Sequence, residues 1–219
     1  MLDMIVNNQG DFSMPHSHLS LIHYQPGHAA IKNMVQKAVH AYKKHDPNRQ
    51  FFIYKPVGTS DGVAYCFIAH GKFGLLKKEL GDNEAKSLMN SAKDGVKSSK
   101  NFKVKTTRHS KNFSLGAPYL AVVKVTFDPS QANHIRDVAK KIESHPGINK
   151  RHTVFTLDGV KNTFYIAFGV DNIEILDKKG GIMSYVEDPA VKTLYNEFKK
   201  SVTGMKLIKL RLLPQFSNC

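Results

Sequence analysis

The chain has 219 residues, of which 41% are hydrophobic, and it carries a formal net charge of +14. This length and apolar content exclude a disordered chain, while only two cysteines, Cys66 and Cys219, exclude a disulfide framework. The excess of lysine favours a polyanionic partner, either nucleic acid or an anionic lipid surface.

Residues 1–18 are predicted to form a flexible N-terminal arm, and residues 19–219 a single domain. The arm lacks the basic start and apolar run of a secretory signal, and no run of apolar residues is long enough to span a membrane. We therefore expect a soluble protein, either cytoplasmic or secreted into a host cell by a non-classical route.

The first half of the chain alternates between predicted strands and helices. "LSLIHY" and "QFFIYK" have strand character, and apolar residues recur at helical spacing over 31–45. A second helix is predicted after the turn at 57–62, and a third over 83–93.

The second half contains a strand at Tyr119–Phe127 and a helix capped by Ser130. "HTVFTL" and "TFYIAF" are predicted to form a hairpin, Asp188-Pro189 to start the last helix, and "MKLIKLRLL" to form an edge strand. No internal repeat is visible. The sequence predicts an α+β fold in which a mostly antiparallel sheet packs against four to five amphipathic helices.

A Gly-x-Ser-x-Gly pattern at residues 58–62 matches the nucleophile elbow of serine hydrolases. Asp158-Gly159 is similar to the Asp-Gly pair of patatin-like lipases, which would make Ser60 a nucleophile partnered by Asp158. The alternative is that Ser60 or Asp61 only caps the helix that begins near Gly62.

Cys66 lies in the first turns of that predicted helix, where the helix dipole stabilises a thiolate. A cysteine nucleophile needs a base, and His152 opens the strand "HTVFTL". Asp171 follows the next strand. The alternative is that Cys66, within "VAYCFIA", is a small buried hydrophobic residue.

This order of elements resembles the papain-like cysteine protease clan, particularly the compact effectors of bacterial pathogens. The resemblance implies that Cys66 is the nucleophile, His152 the base and Asp171 the group that orients the imidazole. It predicts a cysteine-dependent hydrolase, a thiol protease or deamidase-like toxin that acts on a protein substrate. Neither a cofactor nor a metal site is expected.

Residues 93–111 carry seven basic residues and one acidic residue. Alternation in "FKVKTTR" places Lys103 and Lys105 on one strand face, with Phe102 and Val104 on the other. This segment predicts a non-catalytic, anion-binding protein as the alternative function. Its proposed anion-binding residues are Lys97, Lys100, Lys103, Lys105, Arg108 and Lys111. An ADP-ribosyltransferase-like toxin is a weaker alternative.

Overall fold

The computed structural model describes residues 17–25, 36–37, 40, 44, 50–58, 62–69, 81, 83, 86–87, 90, 95–110, 113–145, 152–174 and 188–214. These residues group into two compact units. The N-terminal unit contains the described residues up to Lys105 together with residues 210–214, and the C-terminal unit contains those from Thr106 to Lys209. In the described ranges, no helix is long and apolar enough to cross a membrane.

Eight strands and two helices have complete bounds. The strands are β1 (Ser17–Tyr24), β2 (Gln50–Pro56), β3 (Val63–Ala69), β4 (Val96–His109), β5 (Tyr119–Thr126), β6 (His152–Leu157), β7 (Thr163–Val170) and β8 (Gly204–Leu212). The helices are α1 (Ala132–Ser144) and α2 (Pro189–Ser201). Both β4 and β8 contribute residues to each of the two units.

The strands of the N-terminal unit lie in the order β4-β1-β3-β2, and neighbouring strands are antiparallel. The end of β8 extends this sheet, because Tyr54 on β2 pairs with Leu212. Apolar side chains on β1 and β2 are buried, among them Leu19, Phe52 and the fully buried Tyr54. Burial of these large side chains is the main contribution to the stability of the sheet.

The C-terminal unit follows the order β5, α1, β6, β7, α2, β8 along the chain, and its strands lie in the order β8-β5-β7-β6. This strand-helix-strand-strand-helix-strand connection is the ferredoxin-like arrangement. The N-terminal unit shows the same spatial order, in which the fourth strand lies beside the first and the third beside the second. The two units therefore share a topology that the sequence does not reveal as a repeat.

The core of the C-terminal unit lies between the helices and one face of the sheet. Val123, Ile135, Val138 and Phe198 are buried there, since α1 and α2 each turn an apolar stripe inward. Eight further apolar residues that pack against this cluster are only partly buried: Phe127, Ile142, Phe164, Ile166, Phe168, Val202, Met205 and Leu207.

Side-chain caps lie at the start of the 3-10 turn Pro129–Gln131, which precedes α1, and at the start of α2. The predicted cap of α1 by Ser130 is wrong, because Gln131 precedes α1 and makes no side-chain cap bond. Asp128 accepts a hydrogen bond of 2.8 Å from the backbone N–H of Ser130, and this bond holds the pKa of the Asp128 carboxyl below its usual range. Asp188 caps α2 in the same way through the N–H of Ala190, also at 2.8 Å, with Pro189 at the first helical position. The predicted start of the last helix is confirmed.

The predicted α+β class and the mostly antiparallel sheet are confirmed, but the predicted number of helices is not. Two helices have complete bounds among the described residues, instead of four to five. The helix predicted after residue 62 is wrong, because residues 63–69 form β3. Their Val, Tyr, Phe and Ile side chains favour the extended conformation, in which β-branched and aromatic residues pack well.

The helices predicted over 31–45 and 83–93 fall largely outside the described residues. The separate positions that are described there, such as His40 and Asn83, are helical. The predicted arm also lies outside the described part of the chain, except that Ser17 and His18 begin β1. The single domain over residues 19–219 stays a prediction. The predicted edge strand, β8, has neighbours, since residues 210–212 pair with β2.

Candidate functional site

Three charged or titratable side chains meet at one end of the helix layer of the C-terminal unit. Glu143 lies in the last turn of α1, Arg108 near the end of β4, and His152 at the start of β6. Arg108 Nη1 contacts Glu143 Oε2 in an ion pair, and His152 Nε2 lies 3.8 Å from Glu143 Oε1. We refer to Arg108, Glu143 and His152 as the Glu143 cluster.

Backbone hydrogen bonds hold two members of this cluster in place. The N–H of Ser110 donates to the carbonyl of His152, while the N–H of His152 donates to Ser110 Oγ, each at 3.0 Å. Thr153 Oγ1 donates to the carbonyl of Arg108 at 2.9 Å. These bonds fix β6 against the end of β4, so that Arg108 and His152 approach Glu143 from the sheet.

Glu143 occupies an unfavourable place in α1. The helix dipole places partial negative charge at a helix C-terminus, where a carboxylate is destabilised and a cation is favoured. The side chains of Arg108 and Glu143 are 26% and 27% exposed, so solvent screens their attraction only in part. Arg108 therefore offsets the unfavourable field that acts on Glu143.

His152 is the most buried member of the cluster. Its side chain is 12% exposed, and its ring lies 5.7 Å from the ring of Phe168, the residue opposite it on β7. Among the described residues, Nδ1 of His152 is buried and has no hydrogen-bond partner. A buried polar atom without a partner is uncommon in folded proteins and marks a candidate functional position.

Two further histidine–carboxylate contacts connect the helices nearby. His145 Nε2 lies 3.5 Å from Asp188 Oδ2, which joins the end of α1 to the start of α2. His134 Nε2, in the first turn of α1, lies 3.6 Å from Glu197 Oε1 in the second half of α2, and both side chains are exposed. Both contacts hold α1 and α2 together.

The residues predicted for the cysteine mechanism have different outcomes. His152 opens β6 as predicted, and Asp171 follows β7, where it is exposed. The carboxylate found beside His152 is Glu143. Cys66 lies in the middle of β3, opposite Ser20 on β1, rather than at the start of a helix. Its role with His152 and Asp171 stays a prediction, because the side chain of Cys66 is outside the described part of the chain.

The serine pair is likewise not brought together in the described part of the structure. Ser60 lies outside the described residues, and Asp158 is exposed in the turn between β6 and β7, beside Gly159 at a φ of +79°. The predicted hairpin is confirmed, and Asp158 is a turn residue within it.

The predicted alternation along β4 is confirmed. Lys103 and Lys105 are exposed, whereas Phe102 and Val104 are half-buried. Lys97 and Lys100 are also exposed. Arg108 differs, since it is half-buried and paired with Glu143, and Lys111 lies outside the described residues.

Sequence reasoning missed Glu143. One signal was available, because a glutamate in the last turn of a helix opposes the dipole and needs a nearby cation. The sequence gives no indication that this cation is Arg108, which lies 35 residues earlier in the chain. In the part of the chain that the structure describes, no group of three or more potential metal ligands occurs.

No protein-family model and no curated protein matches the sequence. Solved structures do match. A candidate monooxygenase from Lactobacillus acidophilus is 15% identical, with a TM-score of 0.57 over 94% of this chain and 99% of its own. An anthrone oxidase-like protein is 13% identical, with a TM-score of 0.53 over 90% and 91% of the two chains. A mutant chlorite dismutase from Candidatus Nitrospira defluvii is 9% identical, with a TM-score of 0.54 over 91% and 92%.

The chain shares the fold of these proteins. It is a ferredoxin-like α+β fold, and at this identity the likeness concerns the fold alone. The resemblance to papain-like proteases is therefore wrong. It rested on the order of elements, and the cysteine helix on which that order depends is the strand β3.

Because the resemblance to papain-like proteases is wrong, the functions inferred from it are wrong as well. A cysteine-dependent hydrolase, a thiol protease and an effector toxin do not agree with neighbours that are named as monooxygenases, anthrone oxidase-like proteins and chlorite dismutases. The serine hydrolase, ADP-ribosyltransferase and non-catalytic alternatives fail on the same comparison.

Proposed function

We propose that this protein is an oxidoreductase whose C-terminal unit removes a proton from an apolar substrate, which is then oxidised by dioxygen. The observation that carries the proposal is the Glu143 cluster, in which the imidazole of His152 has Nε2 beside a carboxylate and Nδ1 buried without a partner. The names of the structural neighbours, monooxygenase and anthrone oxidase-like protein, support the reaction class.

The cluster has the groups that a general base requires. The carboxylate of Glu143 favours the tautomer in which Nε2 of His152 carries the proton, so that Nδ1 presents its lone pair. When Nδ1 accepts a proton, the imidazolium is stabilised by the adjacent negative charge. Arg108 holds the carboxylate of Glu143 in position through their ion pair.

The surroundings favour an apolar substrate. Phe168 packs on the imidazole, and Ile142 and Ile166 belong to the same partly buried apolar layer. Because Nδ1 of His152 is buried, the neighbouring side chains must move to admit a substrate.

The reaction is balanced with dioxygen as the only oxidant. His152 takes one proton from an activated CH₂ group, and the resulting carbanion transfers electrons to dioxygen and forms a C–O bond. The imidazolium returns its proton to the peroxide, and cleavage of the O–O bond with loss of the second C–H proton releases water. The sum is R₂CH₂ + O₂ → R₂C=O + H₂O, in which carbon loses four electrons and dioxygen gains four.

Chlorite dismutase chemistry on this fold would require a haem. The described residues do not fit a haem. Haem iron needs an imidazole nitrogen directed into an open cavity. In the described part of the C-terminal unit, Nε2 of His134, His145 and His152 each faces a carboxylate, and Nδ1 of His152 is buried. No step of the proposed reaction passes through haem.

Oxygen consumption with anthrone as the probe substrate tests the proposal. Wild type should consume oxygen, and His152→Gln should lower kcat by about 100-fold or more, because the base is lost. His134→Gln is the matched control, since His134 also faces a glutamate but is 46% exposed. The control should retain the wild-type rate.

The isotope effect on the rate separates a catalytic role from a structural one. Anthrone deuterated at its reactive carbon should slow the wild-type enzyme if proton removal limits the rate. No oxygen consumption by wild type, or equal rates for wild type and His152→Gln, would overturn the proposal.

A further inference from the structure

Arg136 on α1 is a partly buried cation that the proposed reaction does not use. Its Nε atom is buried without a hydrogen-bond partner, and no ion pair joins its guanidinium to a carboxylate in the part of the chain that the structure describes. A guanidinium keeps its charge in proteins, so deprotonation cannot relieve this burial. Because a buried charged donor without an acceptor is costly, Arg136 marks a position where an anion would supply the missing acceptor.

Arg136 lies on the same side of α1 as Glu143. The two residues are seven positions apart, which corresponds to two turns and about 10.5 Å along the helix axis. His134 and His145, which contact α2, lie on the opposite side, since each residue of a helix is rotated by about 100° from the one before it. Arg136 therefore faces away from α2 and toward the side on which the Glu143 cluster forms.

β6 runs along this side of α1. β5 and β6 are parallel, because both pair antiparallel with β7, and α1 is the crossover that returns the chain between them. β6 therefore begins with His152 beside Glu143 and continues toward the level of Arg136. Val154 and Thr156, which share the face of His152, are half-buried, whereas the three alternate residues of the strand are buried. The helix layer thus leaves this face of β6 partly open.

The surroundings of Arg136 suit a single negative charge on an apolar body. Ala139, one turn further along α1, is half-buried and has a small side chain, which leaves room between Arg136 and Glu143. One guanidinium balances the charge of one carboxylate, and its planar fork can bind both carboxylate oxygens. A doubly charged phosphate calls for a further cation, and the next basic residue of α1, Lys140, is exposed to solvent.

We propose that Arg136 binds a carboxylate of the substrate, which makes the substrate an elongated apolar carboxylic acid. The inference rests on the proposed function, since it takes the imidazole of His152 as the reacting end of the same site. A carboxylate at Arg136 lies about 10 Å along α1 from Glu143, so the apolar body must bridge that length. The carboxylate supplies the acceptor that Nε lacks, and the guanidinium fixes which end of the substrate reaches His152.

Fluorescence titration with anthracene-2-carboxylate tests the inference without any oxidation, because this probe has no CH₂ group. Anthracene-2-carboxamide is the neutral comparison. Wild type should bind the carboxylate more tightly than the carboxamide. Arg136→Gln should lower the ratio of the two affinities by about 10- to 100-fold, because a charged hydrogen-bond donor is lost. Lys140→Gln is the matched control, since it removes one positive charge from an exposed position of the same helix, and it should keep the wild-type ratio.

A second variant keeps the test independent of the fold of the first. Arg136→Lys retains the charge but lacks the planar fork, so it should lose part of the ratio, and it replaces Arg136→Gln if circular dichroism shows that the glutamine variant is unfolded. The inference is overturned if wild type binds neither probe, if it binds both equally, or if the folded Arg136 variants keep the wild-type ratio. An equal loss in Lys140→Gln would assign the effect to net charge and would also overturn it.

Oxygen consumption with anthrone separates this inference from the proposed function. If anthrone is not oxidised but the affinity ratio falls in the Arg136 variants, the proposed oxidation fails and the carboxylate site stands. If anthrone is oxidised and the ratio does not change, only the carboxylate site is overturned.

Discussion

The two units of this protein share a strand order and differ in the chemistry placed on it. In the C-terminal unit the second strand begins with His152, opposite Phe168, whereas in the N-terminal unit it begins with Gln50, opposite Ala69. The C-terminal unit carries the Glu143 cluster, and the N-terminal unit carries exposed lysines on β4, among them Lys100 and Lys103. The comparison teaches that a common topology leaves the residues at strand ends and exposed faces free to diverge.

The largest expected effect is a loss of stability when the core of either unit is truncated. It tests whether each unit is stabilised by its own core. Phe198→Ala in the C-terminal unit and Phe52→Ala in the N-terminal unit should each lower the free energy of unfolding by about 3–5 kcal/mol, because each removes a buried ring. Chemical denaturation measures the loss, and hydrogen exchange shows where protection is lost. If exchange rises equally throughout both units in each variant, they unfold together, and the distinction between two cores is structural only.

Glu143→Gln tests whether the Glu143 cluster is responsible for the chemical difference between the two units. The variant should lower the free energy of unfolding by about 1 kcal/mol, because Arg108 loses a charged partner that is partly screened by solvent. It should also lower the rate of anthrone oxidation, since the imidazolium of His152 loses its counter-charge.

The matched control for that prediction is Glu197→Gln, which removes the carboxylate beside His134. Its oxidation rate should equal that of wild type. Equal loss of activity in the two variants would show that the effect comes from the helix pair as a whole and would contradict the special role of Glu143.

A smaller effect concerns the start of α2. Asp188→Ala removes the cap on the N–H of Ala190 and the contact with His145, so it should lower the free energy of unfolding by about 1 kcal/mol. Asp188→Asn keeps the cap and should recover most of the loss. Thermal unfolding measures both, and equal melting temperatures for the Ala and Asn variants would indicate that the cap is unimportant.

The smallest effect is a pH dependence. Burial raises the pKa of the Tyr195 hydroxyl above its ordinary value of about 10. The folded state therefore favours the neutral phenol, and stability falls as the pH rises from the unfolded pKa through the folded one. Tyr195→Phe should remove this alkaline loss. Identical unfolding curves against pH between pH 9 and pH 12 in wild type and the variant would contradict the shift.

The sequence predicted the elements whose patterns are local. β5 follows from its apolar run, the hairpin of β6 and β7 from its strand and turn residues, and α1 and α2 from helical periodicity. Of the predicted caps, the one at Asp188 is confirmed and the one at Ser130 is not. β3 was mistaken for a helix because "VAYCFIA" follows a Gly-rich turn, and a short apolar run has no period that separates strand from helix.

The site was harder to predict than the elements. His152 was recognised as the first residue of a strand, but its carboxylate partner was sought beyond the next strand, at Asp171. Glu143 comes from the preceding helix, and the ion pair with Arg108 depends on which strand lies beside β6. Strand order in a sheet is set by long-range packing, which a single sequence does not display.

β4 is a single strand that contributes residues to both units. β4 carries Lys97 and Lys103 in its first part and Arg108 near its end. Successive side chains of a strand point to opposite faces of the sheet. Deleting one residue between Lys103 and Arg108 would therefore turn the side chains of one part of β4 to the opposite face. Within the C-terminal unit, Arg108 therefore reaches Glu143 only while the alternation of side chains along β4 stays in register.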